Sequence, residues 1–130
     1  MNDLIEAARD ALETAHAPYS EFSVGAAIRT ADGSVFTGCN IENSNYSNSL
    51  HAEEVALSAA IKRGYRDFEA IAVTSSERDG VTPCGLCRQT LAEFCDEEFV
   101  VYTDHGDTTR TYTLGELLPE PMSGDRLDRG

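Results

Sequence analysis

At 130 residues, 41% of them hydrophobic, the chain is expected to form a single domain over 1–130, with enough length for one core and too little for two. Its 23 acidic residues against 10 basic ones give a formal charge of -13, which argues against a nucleic-acid partner, because a polyanion is held mainly by Lys and Arg contacts to phosphate. No apolar run reaches the roughly 18 residues of a membrane span, and the opening Met1-Asn2-Asp3-Leu4-Ile5-Glu6 lacks a basic region followed by an apolar stretch, so a soluble, cytoplasmic protein without a membrane partner is expected.

Leu4, Ile5, Ala8 and Leu12 recur at helical spacing and predict an amphipathic helix over about 3–16. Ala17-Pro18-Tyr19-Ser20 breaks it. Residues 22–29 and 34–38 are apolar and β-rich and flank Ala31-Asp32-Gly33, the pattern of a hairpin. Residues 40–50, rich in Asn and Ser, read as a loop, and loops on a rigid scaffold are where binding groups concentrate. From His51, the apolar positions Val55, Ala56, Ala59 and Ala60 predict a largely buried helix closed by Gly64.

Residues 70–74 form a short apolar strand, and 75–82 a polar connection. Thr82 suits an N-cap and Pro83 the first helical position, so a helix is predicted to start there, carry Cys84 and Cys87 in its first turns, and end near Phe94 or Cys95. Residues 99–102 read as a strand, 111–113 as a last one and 114–118 as a helical turn. Pro119, Pro121 and the polar residues to Gly130 read as a loosely held tail over about 119–130. Strands alternating with helices after an initial hairpin imply an α/β fold with a mixed sheet.

Two short motifs carry the chemistry: His51-Ala52-Glu53 and Pro83-Cys84-Gly85-Leu86-Cys87. Cys84 and Cys87 are three apart and share a helix face, where the unpaired N–H groups of the helix start favour thiolate. His51 supplies a third ligand as neutral imidazole. Three protein ligands leave a fourth position open, as in catalytic rather than structural zinc sites. Glu53, if it stays off the metal, can take a proton from bound water and return it to a leaving group. One His or Cys alone would read as structural, and a closed site with Cys39, Cys95 or Glu53 as a fourth ligand is the competing interpretation. Cys39 and Cys95 read as small buried hydrophobes, and His16 and His105 as surface residues without a role. The acidic balance resembles proteins from salt-loving cytoplasms, where salt screens self-repulsion.

H-x-E followed by P-C-x-x-C is the recognised signature of zinc nucleobase deaminases. With Phe22-Ser23-Val24-Gly25-Ala26-Ala27, Gly38-Cys39-Asn40-Ile41-Glu42-Asn43 and the continuation Arg88-Gln89, the chain resembles the small, zinc-dependent cytidine deaminases that act on free nucleosides. The resemblance implies a three-layer fold, a five-stranded mixed sheet between helices, and one Zn2+ per chain on His51, Cys84 and Cys87. It implies Glu53 as the catalytic proton carrier in hydrolysis of cytidine and 2′-deoxycytidine to uridine and deoxyuridine, with release of ammonia. It places Asn40 and Glu42 at the 3′ side of the ribose, Phe22 against the pyrimidine and the backbone at Ala52 and Cys84 on the base edge. Tyr46 closes the pocket, reaches a neighbouring subunit's substrate or packs under its loop. A homotetramer is implied.

Three positions depart from the commoner pattern of that family. His51 stands where many members have Cys, Glu54 where they often have Arg, and Met122 near where an aromatic residue often reaches an adjacent site. Two thiolates and a neutral imidazole leave Zn2+ uncharged overall, so an Arg is not needed at Glu54. Two rival functions are a deaminase of another cytosine-bearing small molecule, such as a nucleoside antibiotic, and a zinc-stabilised binding module without turnover.

Overall fold

A computed structural model describes residues 3–45, 49–76, 85–105 and 108–119. In chain order the elements are α1 (Asp3–Leu12), β1 (Val24–Thr30), β2 (Val35–Cys39), α2 (Ala52–Lys62), β3 (Phe68–Ser75), α3 (Gly85–Phe94), β4 (Val100–His105), β5 (Thr108–Thr113) and α4 (Leu114–Leu117). The five strands form one sheet in the order β2-β1-β3-β4-β5. All neighbouring pairs are antiparallel except β3 and β4, which run parallel and are joined through α3. This is the mixed α/β sheet that the order of apolar segments implied.

Alternation along the central strands separates two cores. Ala27, Ala70 and Ala72 face Leu4, Ile5 and Ala8 of α1. On the opposite face, Ala26, Ile28, Ile71, Val73 and Val101 pack with Ala52, Ala56, Leu57 and Ala60 of α2 and Leu91 of α3. The helices therefore lie on both sides of the sheet, in three layers. Strands covered on both faces carry apolar residues without a break, which is why β1 and β3 were legible as strands. Asp104 on β4, 5% exposed, accepts from Arg9 Nε at 3.0 Å and Nη2 at 2.8 Å, and from Thr74 Oγ1 at 2.6 Å. That buried carboxylate ties α1 to two strands.

Helix α2 ends at Lys62 with Arg63 as its C-cap, and Gly64, expected to be the cap, follows it with a φ of 98° that suits a residue without a Cβ. The Gly64 N–H donates to Ile61 O at 2.9 Å and the Tyr65 N–H to Ala60 O at 3.1 Å, so the last carbonyls of the helix are satisfied. The structure differs from the sequence reading at several element ends; β4, for one, runs on to His105 rather than stopping at Tyr102. Helix α1 stops at Leu12, because the chain turns so that His16 pairs with Ile41. Strand β5 begins at Thr108 and pairs with the full length of β4; its polar edge residues gave no apolar signal. Most of the polar connection expected over 75–82, and all of the tail after Pro119, lie outside the described residues. No helix among the described residues is long and apolar enough to cross a membrane.

Candidate metal centre

His51 is the N-cap of α2, with an extended backbone at φ -88° and ψ 147°. Its N–H donates to Glu54 Oε1 at 3.0 Å, and its carbonyl accepts the Val55 N–H at 3.0 Å. A helix start has unpaired N–H groups, and Glu54, three residues on, reaches back in the manner of a capping box. Just before it, Leu50 and Ile41 exchange two backbone hydrogen bonds of 2.8 and 3.0 Å. His51 is thus held from both sides.

What lets α2 begin so close to the sheet is Gly38 on β2. A Cβ there would stand 2.4 Å from Ala52 O and 2.5 Å from Ala56 N, so only glycine admits the helix at this separation. Helix α3 comes alongside and brings Cys87, 1% exposed. Single ligand atoms of His51, Glu54 and Cys87 all lie within 4.8 Å of one another. Two helix starts, far apart in sequence, meet at this point.

Glu53, 6% exposed, lies at the same place. Burial is the main cause that holds its carboxyl above the ordinary carboxylate range, with the Glu54 charge acting in the same direction; the Glu53 backbone, His51 and a side-chain hydrogen bond with Cys87 oppose it. Imidazole and thiol donors converging on one point suit Zn2+, which takes N and S ligands. A cation here would also offset the burial that disfavours a charged Glu53. Cys84, the remaining expected ligand, lies outside the described residues.

Glu54 has a role that the sequence reading missed. His is not among the usual capping residues, so His51-x-x-Glu54 did not stand out as a cap. We expect Glu54→Ala to cost about 0.3–1.5 kcal/mol, while Glu54→Gln, which keeps an acceptor, costs less. Melting temperatures of the two variants check this, and equal losses would mean that charge rather than capping fixes Glu54.

Of the substrate-side candidates, Phe22 lies just before β1, and Asn40 and Glu42 just after β2. The Asn40 amide is engaged at both ends, donating from Nδ2 to Phe22 O at 2.8 Å and accepting the Val24 N–H on Oδ1 at 2.9 Å. Glu42 Oε1 accepts the N–H groups of Tyr19 and Ser20, each at 3.0 Å, and Oε2 accepts the Ser20 hydroxyl. These bonds, the Ser20 hydroxyl first, hold Glu42 below the ordinary carboxylate range. Phe22 is half-buried and Ala52 buried. Tyr46 lies outside the described residues.

Three minor expectations need correction. His16 is exposed, yet its backbone N–H donates to Asn40 O at 3.0 Å and its carbonyl accepts the Glu42 N–H at 2.7 Å. It therefore fixes the segment that presents Asn40 and Glu42, a backbone role that side-chain patterning does not reveal. Cys39 and Cys95 are half-buried rather than buried. Cys39 Sγ accepts from Thr14 Oγ1 at 3.5 Å, while Cys95 packs against the core and burial pushes its thiol up to about 12.

Residues 1–103 match the family model described as the cytidine and deoxycytidylate deaminase zinc-binding region. A cytidine deaminase of Sporosarcina psychrophila is 44% identical over 126 residues, spanning 95% of this chain and 92% of that protein. A cytidine deaminase of Halalkalibacterium halodurans is 43% identical over 127 residues, 96% of each. Among solved structures, the cytidine deaminase of Burkholderia pseudomallei superimposes with a TM-score of 0.88 at 43% identity, covering 94% of this chain and 100% of that one.

Proposed function

The chain belongs to the cytidine deaminase family of zinc-binding deaminases, and on that premise we propose that it hydrolyses cytidine and 2′-deoxycytidine to uridine and deoxyuridine with release of ammonia. The observation that carries this reading is the meeting of His51, Cys87 and the buried Glu53 where two helices start. Zinc would be held by His51, Cys84 and Cys87; when bound, it lowers the pKa of water from about 15.7 to about 7. Glu53 takes one proton from the attacking water and delivers it to N3, then takes the proton of the hydroxyl added at C4 and delivers it to the departing amine. Burial raises this carboxyl above the ordinary carboxylate range, the direction that favours holding a proton.

The remaining residues bind and orient. Phe22 lies against the pyrimidine, the backbone at Ala52 and Cys84 holds the base edge, and Asn40 and Glu42 take the ribose at its 3′ side. We further assign a cytoplasmic homotetramer from a salt-rich organism. Loss of ultraviolet absorbance on adding cytidine tests the activity directly. Turnover of a nucleoside antibiotic in place of cytidine would move the substrate, and zinc binding without any turnover would leave only a binding module.

The salt reading has its own test. With 23 acidic groups against 10 basic, self-repulsion should grow as the Debye length lengthens from about 3 Å at 1 M to about 30 Å at 0.01 M. Melting temperature and sedimentation coefficient should both fall from molar to low KCl, with the subunits separating before each one unfolds. Constancy of both would remove the halophilic assignment and leave the catalytic one.

A further inference from the structure

The segment between α1 and β1 is bound to Glu42 more extensively than a surface turn needs. Glu42 Oε1 accepts the Tyr19 and Ser20 N–H groups, and Oε2 accepts the Ser20 hydroxyl. The same hydroxyl oxygen accepts the Phe22 N–H at 3.0 Å. Ser20 therefore touches both the residue assigned to the sugar and the residue assigned to the base. Between Ser20 and Phe22 stands Glu21 at φ 59°, a left-handed backbone that residues with a Cβ adopt only when their surroundings over-determine it. Its N–H donates to Ala17 O at 3.0 Å. Strain of this kind clusters where a side chain must be aimed.

The carboxylate arithmetic adds a specific consequence. An ionised carboxylate has about four acceptor positions. Two backbone donors fill those on Oε1, and the Ser20 hydroxyl fills one on Oε2. Among the described residues one acceptor remains, on Oε2, enough for a single hydroxyl donor.

We propose that Ser20 is a positioning residue for nucleoside recognition: its hydroxyl orients Glu42 so that one free acceptor meets the ribose 3′-hydroxyl. The proposal rests on the nucleoside reading above. Ser20 touches no reacting atom, so its removal should weaken binding and spare the chemical step. An interaction equal in the ground and transition states appears in KM and leaves kcat unchanged.

The test compares the zinc-loaded parent with Ser20→Ala and Ser20→Thr on cytidine and on 2′,3′-dideoxycytidine, which lacks the 3′-hydroxyl. For Ser20→Ala we expect KM for cytidine to rise about tenfold, the scale of one hydrogen bond to a charged group, with kcat nearly unchanged. On dideoxycytidine the same variant should differ little from the parent. Ser20→Thr, which restores a hydroxyl, should recover most of the loss. Equal losses on both substrates, a fall in kcat alone, or no change on cytidine would overturn the proposal. A parent that deaminates neither substrate would contradict the proposed function instead. The role of Ser20 would then be read from the Glu42 carboxyl titration by carbon-13 NMR: a midpoint that rises in Ser20→Ala supports it, and an unmoved midpoint overturns it.

Discussion

Glu53→Gln should retain the fold and the zinc while losing about 10²–10⁴-fold or more in kcat/KM. The amide fills the same space but cannot accept and deliver protons, and Glu53 is assigned more than one transfer. The loss should not come from unfolding. Burial already disfavours the charged form of Glu53, so replacing the carboxyl by a neutral amide removes a cost and leaves the metal-free protein at least as stable. Zinc content, melting temperature and kcat/KM on the same preparation separate these effects. Loss of zinc in the variant would make Glu53 a ligand, and near-normal turnover would end its role as the proton carrier.

Gly38→Ala is expected to damage the site from the far side of α2. The added methyl would meet Ala52 O at 2.4 Å and Ala56 N at 2.5 Å. Both are helix backbone atoms with no rotamer to change, so the first turns of α2 must move away from β2. Overpacking of this kind costs about 1–3 kcal/mol. His51 and Glu53 travel with those turns, and a displacement of about 1 Å at a catalytic group can cost about 10²-fold in rate. The expected result is a lower melting temperature, weaker zinc retention and a fall in kcat/KM together. A variant that melts and turns over like the parent would show that the start of α2 is not set by contact with β2.

These two residues also mark how far the sequence could be read. Glu53 was legible because His51-x-Glu53 and the cysteine pair together specify a chemistry, and the boundaries of α2 were legible from its apolar spacing and Gly64. Gly38 was visible only as part of a motif. Its importance lies in backbone atoms of another element, and no local pattern announces such a contact. The same holds for Ser20 and Glu42, 22 residues apart, and for His16, which acts through its backbone. Strand β5 was read short because an edge strand facing solvent needs no apolar alternation. The cores of β1 and β3, covered on both faces, gave the opposite case: their composition alone was sufficient.

Zinc content and cytidine turnover followed in one sample, as a chelator removes the metal and added zinc restores it, test the central claim most directly. The expected result is turnover that falls in proportion to zinc, from one ion per chain, and returns when zinc is restored. Full turnover in protein stripped of zinc, or one tightly held zinc per chain with no turnover of cytidine, would contradict it.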